Sequence, residues 1–242
     1  MIDFQQFEVL SFDCYGTLID WESGILTALK TILSNHNIDI NDQEILEMFA
    51  QSESLQEAGE YLKYREILKR VVQNLGDKLS FAPTESELNY LAESIKDWET
   101  FPDTVEALKA LKKRYKLTII SNIDDDLFAY SAKKLEVEFD WIITAEQVKS
   151  YKPSLQNFEF AIQRMGISPD KLLHVAQSVY HDIVPAKTMG LSAVWVNRRK
   201  GKEGFGATVP ASGNPDLEIP DLKTLVSLMG LDLWKSLYPF SR

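Results

Sequence analysis

The stretch "FEVLSFDCYGTLID", residues 7–20, is an apolar run of strand length that stops on a carboxylate, Asp13. An unpaired charge in an apolar setting is expensive, so an acid at the end of a buried strand calls for a partner or a task. Tyr15, Gly16 and Thr17 follow at once. The pattern predicts a strand over about Phe7 to Phe12, with Asp13 displayed at its carboxyl end.

Four more short runs rich in Ile and Val end on polar groups: "YKLTIISN" (115–122), "FDWIIT" (139–144), "KLLHVAQ" (171–177) and "SAVWVNR" (192–198). Helical spacing lies between them, at Val105, Leu108 and Leu111, then at Phe158, Ala161, Ile162 and Met165. Strands alternating with helices predict an α/β fold, a Rossmann-like, doubly wound parallel sheet. Residues 21–99 differ. Ile25, Leu29, Ile32 and Leu33, then Ile45, Met48 and Phe49, then Tyr61, Tyr64, Ile67, Leu68 and Val71 keep helical spacing without a strand. Thr84 with Glu87 three residues on is a capping signature. The expected organisation is a core of residues 1–20 and 100–242 with a helical cap, 21–99, inserted after the first strand. "KGKEGFGATVPASGNP", 200–215, reads as a flexible surface loop; it lacks the strand–glycine–helix context of a phosphate loop.

Composition narrows the partners. The 242 residues are 45% hydrophobic and carry a net charge of −10, which opposes duplex nucleic acid and anionic membranes. The single cysteine, Cys14, leaves no internal disulfide and fits a reducing, cytoplasmic setting. The amino terminus lacks a secretory pattern, and no apolar stretch is long enough to span a membrane. A homodimer is compatible with this composition, with oligomeric state left open.

Ligands of open parallel sheets bind beyond the carboxyl ends of the strands. The candidates there are Asp13, Thr17, Ser121, Asn122, Gln177 and Ser178, with Lys152, His181 and Asp182 on neighbouring loops. His174, inside an apolar strand, reads as a core residue, and Asp124 to Asp126 as acids opening a helix.

"FDCYGTL" (12–18), "IISN" (119–122), "YKP" (151–153) and "AQSVYHD" (176–182), in that order, resemble the motifs of the haloacid dehalogenase superfamily of hydrolases. In its phosphatases a second acid stands two residues after the nucleophile. Tyr15 stands there in this chain, as in the L-2-haloacid dehalogenase branch, where a halide leaves without needing a proton. The resemblance implies attack by Asp13 on the α-carbon of a small 2-haloacid, with loss of halide, followed by hydrolysis of the ester by water. It also implies that Lys152 keeps Asp13 ionised, lowering its pKa by about 1–3 units. Thr17 would orient Asp13 and Asp182 would activate water. Tyr15, Ser121, Asn122, Gln177, Ser178 and His181 would surround a small anionic substrate, with no metal or other cofactor.

Two motifs depart from that branch. Ala50 and Gln51 stand where it carries a cap arginine, and Arg65 is the remaining candidate to reach inward. Gln177 and Val179 replace the Ser and Asn that flank its hydrolytic water. The alternatives left open are a hydrolase of another carbon electrophile such as a strained cyclic amino acid, a magnesium-dependent phosphatase, and a non-catalytic binding protein.

Overall fold

The computed structural model describes residues 2–231. Strand β1 is Val9–Phe12, followed by helices α1 Trp21–Asn35, α2 Asp42–Glu57, α3 Tyr64–Leu79, α4 Glu85–Ser94 and α5 Thr104–Lys112. Then come β2 Lys116–Ser121, α6 Asp125–Leu135, β3 Trp141–Thr144, α7 Ala145–Val148, α8 Gln156–Met165 and β4 Leu172–Ala176. A single π-helical turn, Val179–Ile183, leads into α9 Val184–Thr188, β5 Ser192–Val196, β6 Leu217–Ile219 and α10 Leu222–Leu228. Residues 232–242 of the expected core lie outside the described residues.

All six strands pair in parallel, in the order β3-β2-β1-β4-β5-β6. The doubly wound sheet expected from the alternating pattern is present, with β6 as a strand that the apolar pattern did not announce. Every residue of β1 is buried, as befits a central strand covered on both faces. Its alternation sorts the core into two layers. Leu10 and Phe12 join Leu117, Ile119, Leu173 and Val175 on one face. Val9 joins Leu172, Phe158 and Met165 on the other. Ser11 and His174 are register partners within this second layer, two polar groups among apolar ones.

The chain changes direction across the sheet at β1, with β2 and β3 on one side and β4 to β6 on the other. Such a reversal opens a crevice at the carboxyl ends of the strands. Helices α1, α2 and α3 contribute to its lining, and α4 packs on α1 and α3. Their tight approach depends on small residues: a Cβ on Gly24 would run into the indole of Trp98. The capping box expected at Thr84 forms, with the Glu87 amide donating to the threonine hydroxyl and the Glu87 carboxylate accepting from the Thr84 amide. Among the described residues, no helix is long and apolar enough to cross a membrane.

Candidate active site

Asp13 follows β1 directly, and its amide donates to the carbonyl of Val175 on β4. The chain then folds back, with the carbonyl of Cys14 accepting from the amides of Leu18 and Ile19. Gly16 sits in this turn at φ +90°, a region costly for other residues, and a Cβ there would meet Trp21 Nε1 at 2.8 Å. The tight turn brings Thr17 over the carboxylate. Its hydroxyl donates to Asp13 Oδ2 at 2.8 Å and accepts from the Gln177 amide at 2.9 Å, tying the ends of β1 and β4 together.

Lys152 is 1% exposed, and its ammonium has no free proton. It donates to Asp13 Oδ1 at 2.9 Å, to Asp182 Oδ1 at 2.7 Å and to the Ile120 carbonyl at 2.8 Å. Asn122 clips its backbone, accepting from the Lys152 amide at 2.8 Å and donating to the Lys152 carbonyl at 3.0 Å. Behind Asp182, His174 Nε2 lies 2.9 Å from the same Oδ1, and its Nδ1 lies 2.9 Å from the Ser11 hydroxyl. An ionised Asp182 can only accept, so Nε2 carries a proton and donates it to Oδ1. His174 is indeed satisfied in the core, and it also holds Asp182 in place.

One buried cation thus serves two buried carboxylates. Burial pushes Asp13 above the usual carboxylate range; Lys152 pulls it back only in part, and Asp182 adds a further push upward. This corrects the expectation that Lys152 lowers Asp13 outright: the attraction is present, but the burial of the carboxyl outweighs it. Asp182 is held below its ordinary value, because Lys152 and His174 together outweigh its own burial. For Lys152, burial is overcome by the two acids and the ammonium is held above the usual lysine range.

Tyr15 contributes its ring to the pocket and turns its hydroxyl away, to Ser131 Oγ at 2.9 Å. Five further residues complete the wall where motif reading gave no warning: Trp21, Glu53, Glu57, Tyr64 and Thr208. Glu53 and Glu57 sit one turn apart on α2. Glu53 is 3% exposed and accepts a short hydrogen bond from the Tyr64 hydroxyl. Glu57 accepts from Asn122 Nδ2 at 3.2 Å and lies 3.4 Å from His181 Nε2. Burial, with Glu57 close by, pushes Glu53 well above the ordinary carboxylate value. The remaining space is about 30 Å³, enough for a water or two. A second cavity of about 330 Å³ adjoins it, sharing Glu57 and Lys152 and walled by Tyr61, Tyr151 and Tyr180.

The other expected residues divide. Ser121 and Ser178 line the pocket, the first with a buried hydroxyl that has no partner, the second accepting from the His181 amide. His181 lines it too. The side chain of Gln177 points instead toward Gly16. Arg65 does not reach inward: it pairs with Asp126 and approaches Asp124 to 3.8 Å, at the outer rim. The buried Asp124 and the exposed Asp126 draw it there. The loop at 200–215 is only partly a surface loop, since Ala207 and Thr208 are buried and Thr208 lines the pocket. Glu22 anchors it, accepting from Arg199 at 2.6 Å and from the Ala207 amide at 3.1 Å.

A family model for haloacid dehalogenase-like hydrolases matches residues 7–190. Haloacetate dehalogenase H-2 of Moraxella sp. (strain B) is 26% identical over 94% of this chain and 100% of its own length. (S)-2-haloacid dehalogenase 4A of Burkholderia cepacia is 27% identical over 92% of this chain and 91% of its own. The solved structure of L-2-haloacid dehalogenase from Xanthobacter autotrophicus with chloropropionic acid covalently bound superposes with a TM-score of 0.76 at 20% identity, covering 93% and 98% of the two chains. That match carries the fold; the family model, spanning β1 to α9, carries the membership. The chain belongs to the haloacid dehalogenase-like hydrolases.

Proposed function

We propose that the protein hydrolyses a small 2-halo carboxylic acid to the 2-hydroxy acid through an ester on Asp13. An oxygen of Asp13 attacks the α-carbon in line, a C–O bond forms, and the carbon–halogen bond breaks with its electron pair leaving on the halide. Water then adds to the carbonyl carbon of the ester, which releases the hydroxy acid and restores the carboxylate. Splitting one hard displacement into two easier steps is the advantage of such a covalent route.

One observation carries the reading. The carboxylate at the end of the central strand is held by Thr17 and Lys152, while the tyrosine hydroxyl at the usual proton-donor position faces away, toward Ser131. A nucleophile with no acid beside its leaving group suits a departing group that is stable without a proton. Lys152 offsets part of the burial that disfavours the charge on Asp13, and Thr17 fixes the direction of its oxygens. Ser121, Ser178 and the amides that follow Tyr15 are the donors available to a substrate carboxylate. The unpartnered Oδ2 of Asp182 is the oxygen best placed to accept from a hydrolytic water. Asn122 acts through Lys152, whose backbone it holds. In this reading residues 21–99 are a cap that must shift to admit substrate, because the free space beside Asp13 is only about 30 Å³.

The donor set suits magnesium poorly, since Asp13 and Asp182 are both bound to Lys152 and Gln177 is neutral. The test is halide release from 2-chloropropionate beside phosphate release from phosphate esters, each with and without chelator. Halide release that survives chelation is expected; turnover of phosphate esters alone, and only with magnesium, would replace this reading by a phosphatase.

A further inference from the structure

Two polar side chains stand in the apolar layer on the second face of the sheet, and the reaction proposed above uses neither. Ser11 on β1 and His174 on β4 are register partners, both fully buried. Phe158 packs edge-on against the imidazole, with ring centroids 5.0 Å apart. Buried polar groups cost stability unless they are hydrogen-bonded. Here both ring nitrogens are met: Nδ1 lies 2.9 Å from the Ser11 hydroxyl and Nε2 lies 2.9 Å from Asp182 Oδ1. Two apolar side chains of like shape would fill the layer at no greater cost, so packing alone does not call for this pair.

What the pair supplies is direction, because the two oxygens of Asp182 are bound differently. Oδ1 accepts from Lys152 Nζ at 2.7 Å and from His174 Nε2, whereas Oδ2 is buried without a hydrogen-bond partner. A carboxylate held by a lysine alone can turn about its last torsion, a broad and two-fold one, and offer either oxygen. The imidazole is fixed at both nitrogens and against Phe158, so it makes Oδ1 the occupied oxygen and leaves Oδ2 for a ligand. Asp182 lines the same cavity as Asp13, whose free space of about 30 Å³ holds a water or two. Lys152 has no proton left to orient that water, since its three go to Asp13, Asp182 and the Ile120 carbonyl.

Resting on Asp13 as a nucleophile toward carbon, we propose that His174, with Ser11 behind it, is a positioning residue for the second half of the reaction alone. It holds Asp182 so that Oδ2 takes a proton from the water that adds to the Asp13 ester. The water oxygen bonds to the carbonyl carbon, and the bond from that carbon to the 2-oxygen of the product breaks. The departing oxygen takes the proton back from Asp182 and leaves as the hydroxyl of the hydroxy acid. The second proton of the water stays on the Asp13 carboxyl and is lost to solvent as the carboxylate is restored. Attack by Asp13 on the α-carbon moves no proton, so it asks nothing of Oδ2.

The test is a single turnover of 2-bromopropionate with enzyme in excess, quenched at intervals. Bromide reports ester formation, lactate reports ester hydrolysis, and the mass of the peptide containing Asp13 reports the ester between them. The wild type is compared with Ser11→Ala, His174→Leu and the double variant, each checked for folding by circular dichroism. His174→Leu is expected to release bromide at the wild-type rate and lactate about tenfold more slowly, the worth of one hydrogen bond to a charged group. Ester then accumulates on Asp13, and in steady state kcat and KM fall together while kcat/KM is kept. Ser11→Ala should show the same split on a smaller scale, and it carries the test alone if His174→Leu does not fold. The double variant leaves no hydroxyl unpaired in the layer, so it should regain thermal stability over His174→Leu without regaining the rate of lactate release. A pair that only holds the fold would regain both, and that result, or lactate slowed no more than bromide in the single variants, would overturn the positioning role. Absence of bromide, or bromide without ester on Asp13 in any of the proteins, would instead sink Asp13 as the nucleophile and this inference with it.

Discussion

Asp13, the proposed nucleophile, is held where its charge is disfavoured, and the surroundings of that carboxylate set how the proposed reaction responds to pH. Its pKa lies above the ordinary value of about 4, through burial and the nearness of Asp182, while the Lys152 ammonium stays protonated beyond the usual lysine range. Only the ionised carboxylate attacks, so kcat/KM should rise with pH through an acid limb above 4 and show no loss from Lys152 up to about pH 10. An acid limb at or below 4 would contradict this. Glu53 makes a separate prediction about stability. Its folded pKa is raised, so its contribution is fully present below the unfolded value of about 4.3 and is lost as pH climbs through the folded value. Glu53→Gln keeps the partner Tyr64 and removes the penalty. Its Tm should match the wild type near pH 4 and exceed it by about 2–4 °C near pH 8, one kcal/mol on a chain of this length. Asp13, Thr17 and Lys152 were legible in the sequence because each stands at a strand end or in a short motif beside one. Glu53 and Glu57 were not, because a helix hides its acids among many; their signal was position, on the face of α2 that buries Ile45, Leu46, Phe49 and Ala50.

The helices over the crevice are fastened to the sheet by polar contacts that no apolar pattern records. Helix α3 begins without a cap from its own side chains. Asp124, at the foot of α6, supplies it across the molecule, accepting from the amides of Tyr64 at 2.8 Å and Arg65 at 3.1 Å. Asp124→Ala should therefore cost about 0.5–2 kcal/mol, with Asp124→Asn losing less because one acceptor oxygen remains. If α3 is part of a moving cap, the alanine variant should also raise KM more than it lowers kcat. Thermal unfolding and steady-state kinetics together check this, and an unchanged Tm would refute the capping role. The acids at 124–126 were expected only to open their own helix, and sequence has no means of showing that one of them serves a helix sixty residues earlier. The same limit explains β6 and Thr208. Leu217–Ile219 is too short for a periodic signal, and a glycine-rich loop does not announce that Glu22 will pin it against the pocket. The five longer strands were legible because buried parallel strands are continuous apolar runs.

Across the whole molecule, the order of the strands brings distant segments to one place. β1 delivers Asp13, β2 delivers Ser121, the loop before α8 delivers Lys152 and the turn after β4 delivers Asp182, all at the point where the sheet reverses. The acidic balance of −10 is then no obstacle to a working carboxylate, because the buried Lys152 ammonium lies between Asp13 and Asp182. What α1, α2 and α3 add to this place is the opposite wall of the cavity, with Trp21, Glu53, Glu57 and Tyr64. The claim common to all of this is that Asp13 bonds to carbon and is regenerated by water. It is tested most directly by a single turnover with enzyme in excess, in heavy-oxygen water, followed by mass spectrometry of the peptide that contains Asp13. The account predicts the heavy oxygen in the Asp13 carboxylate and ordinary oxygen in the first product released. Heavy oxygen in that product, with an unlabelled Asp13, would mean direct attack by water and would contradict it.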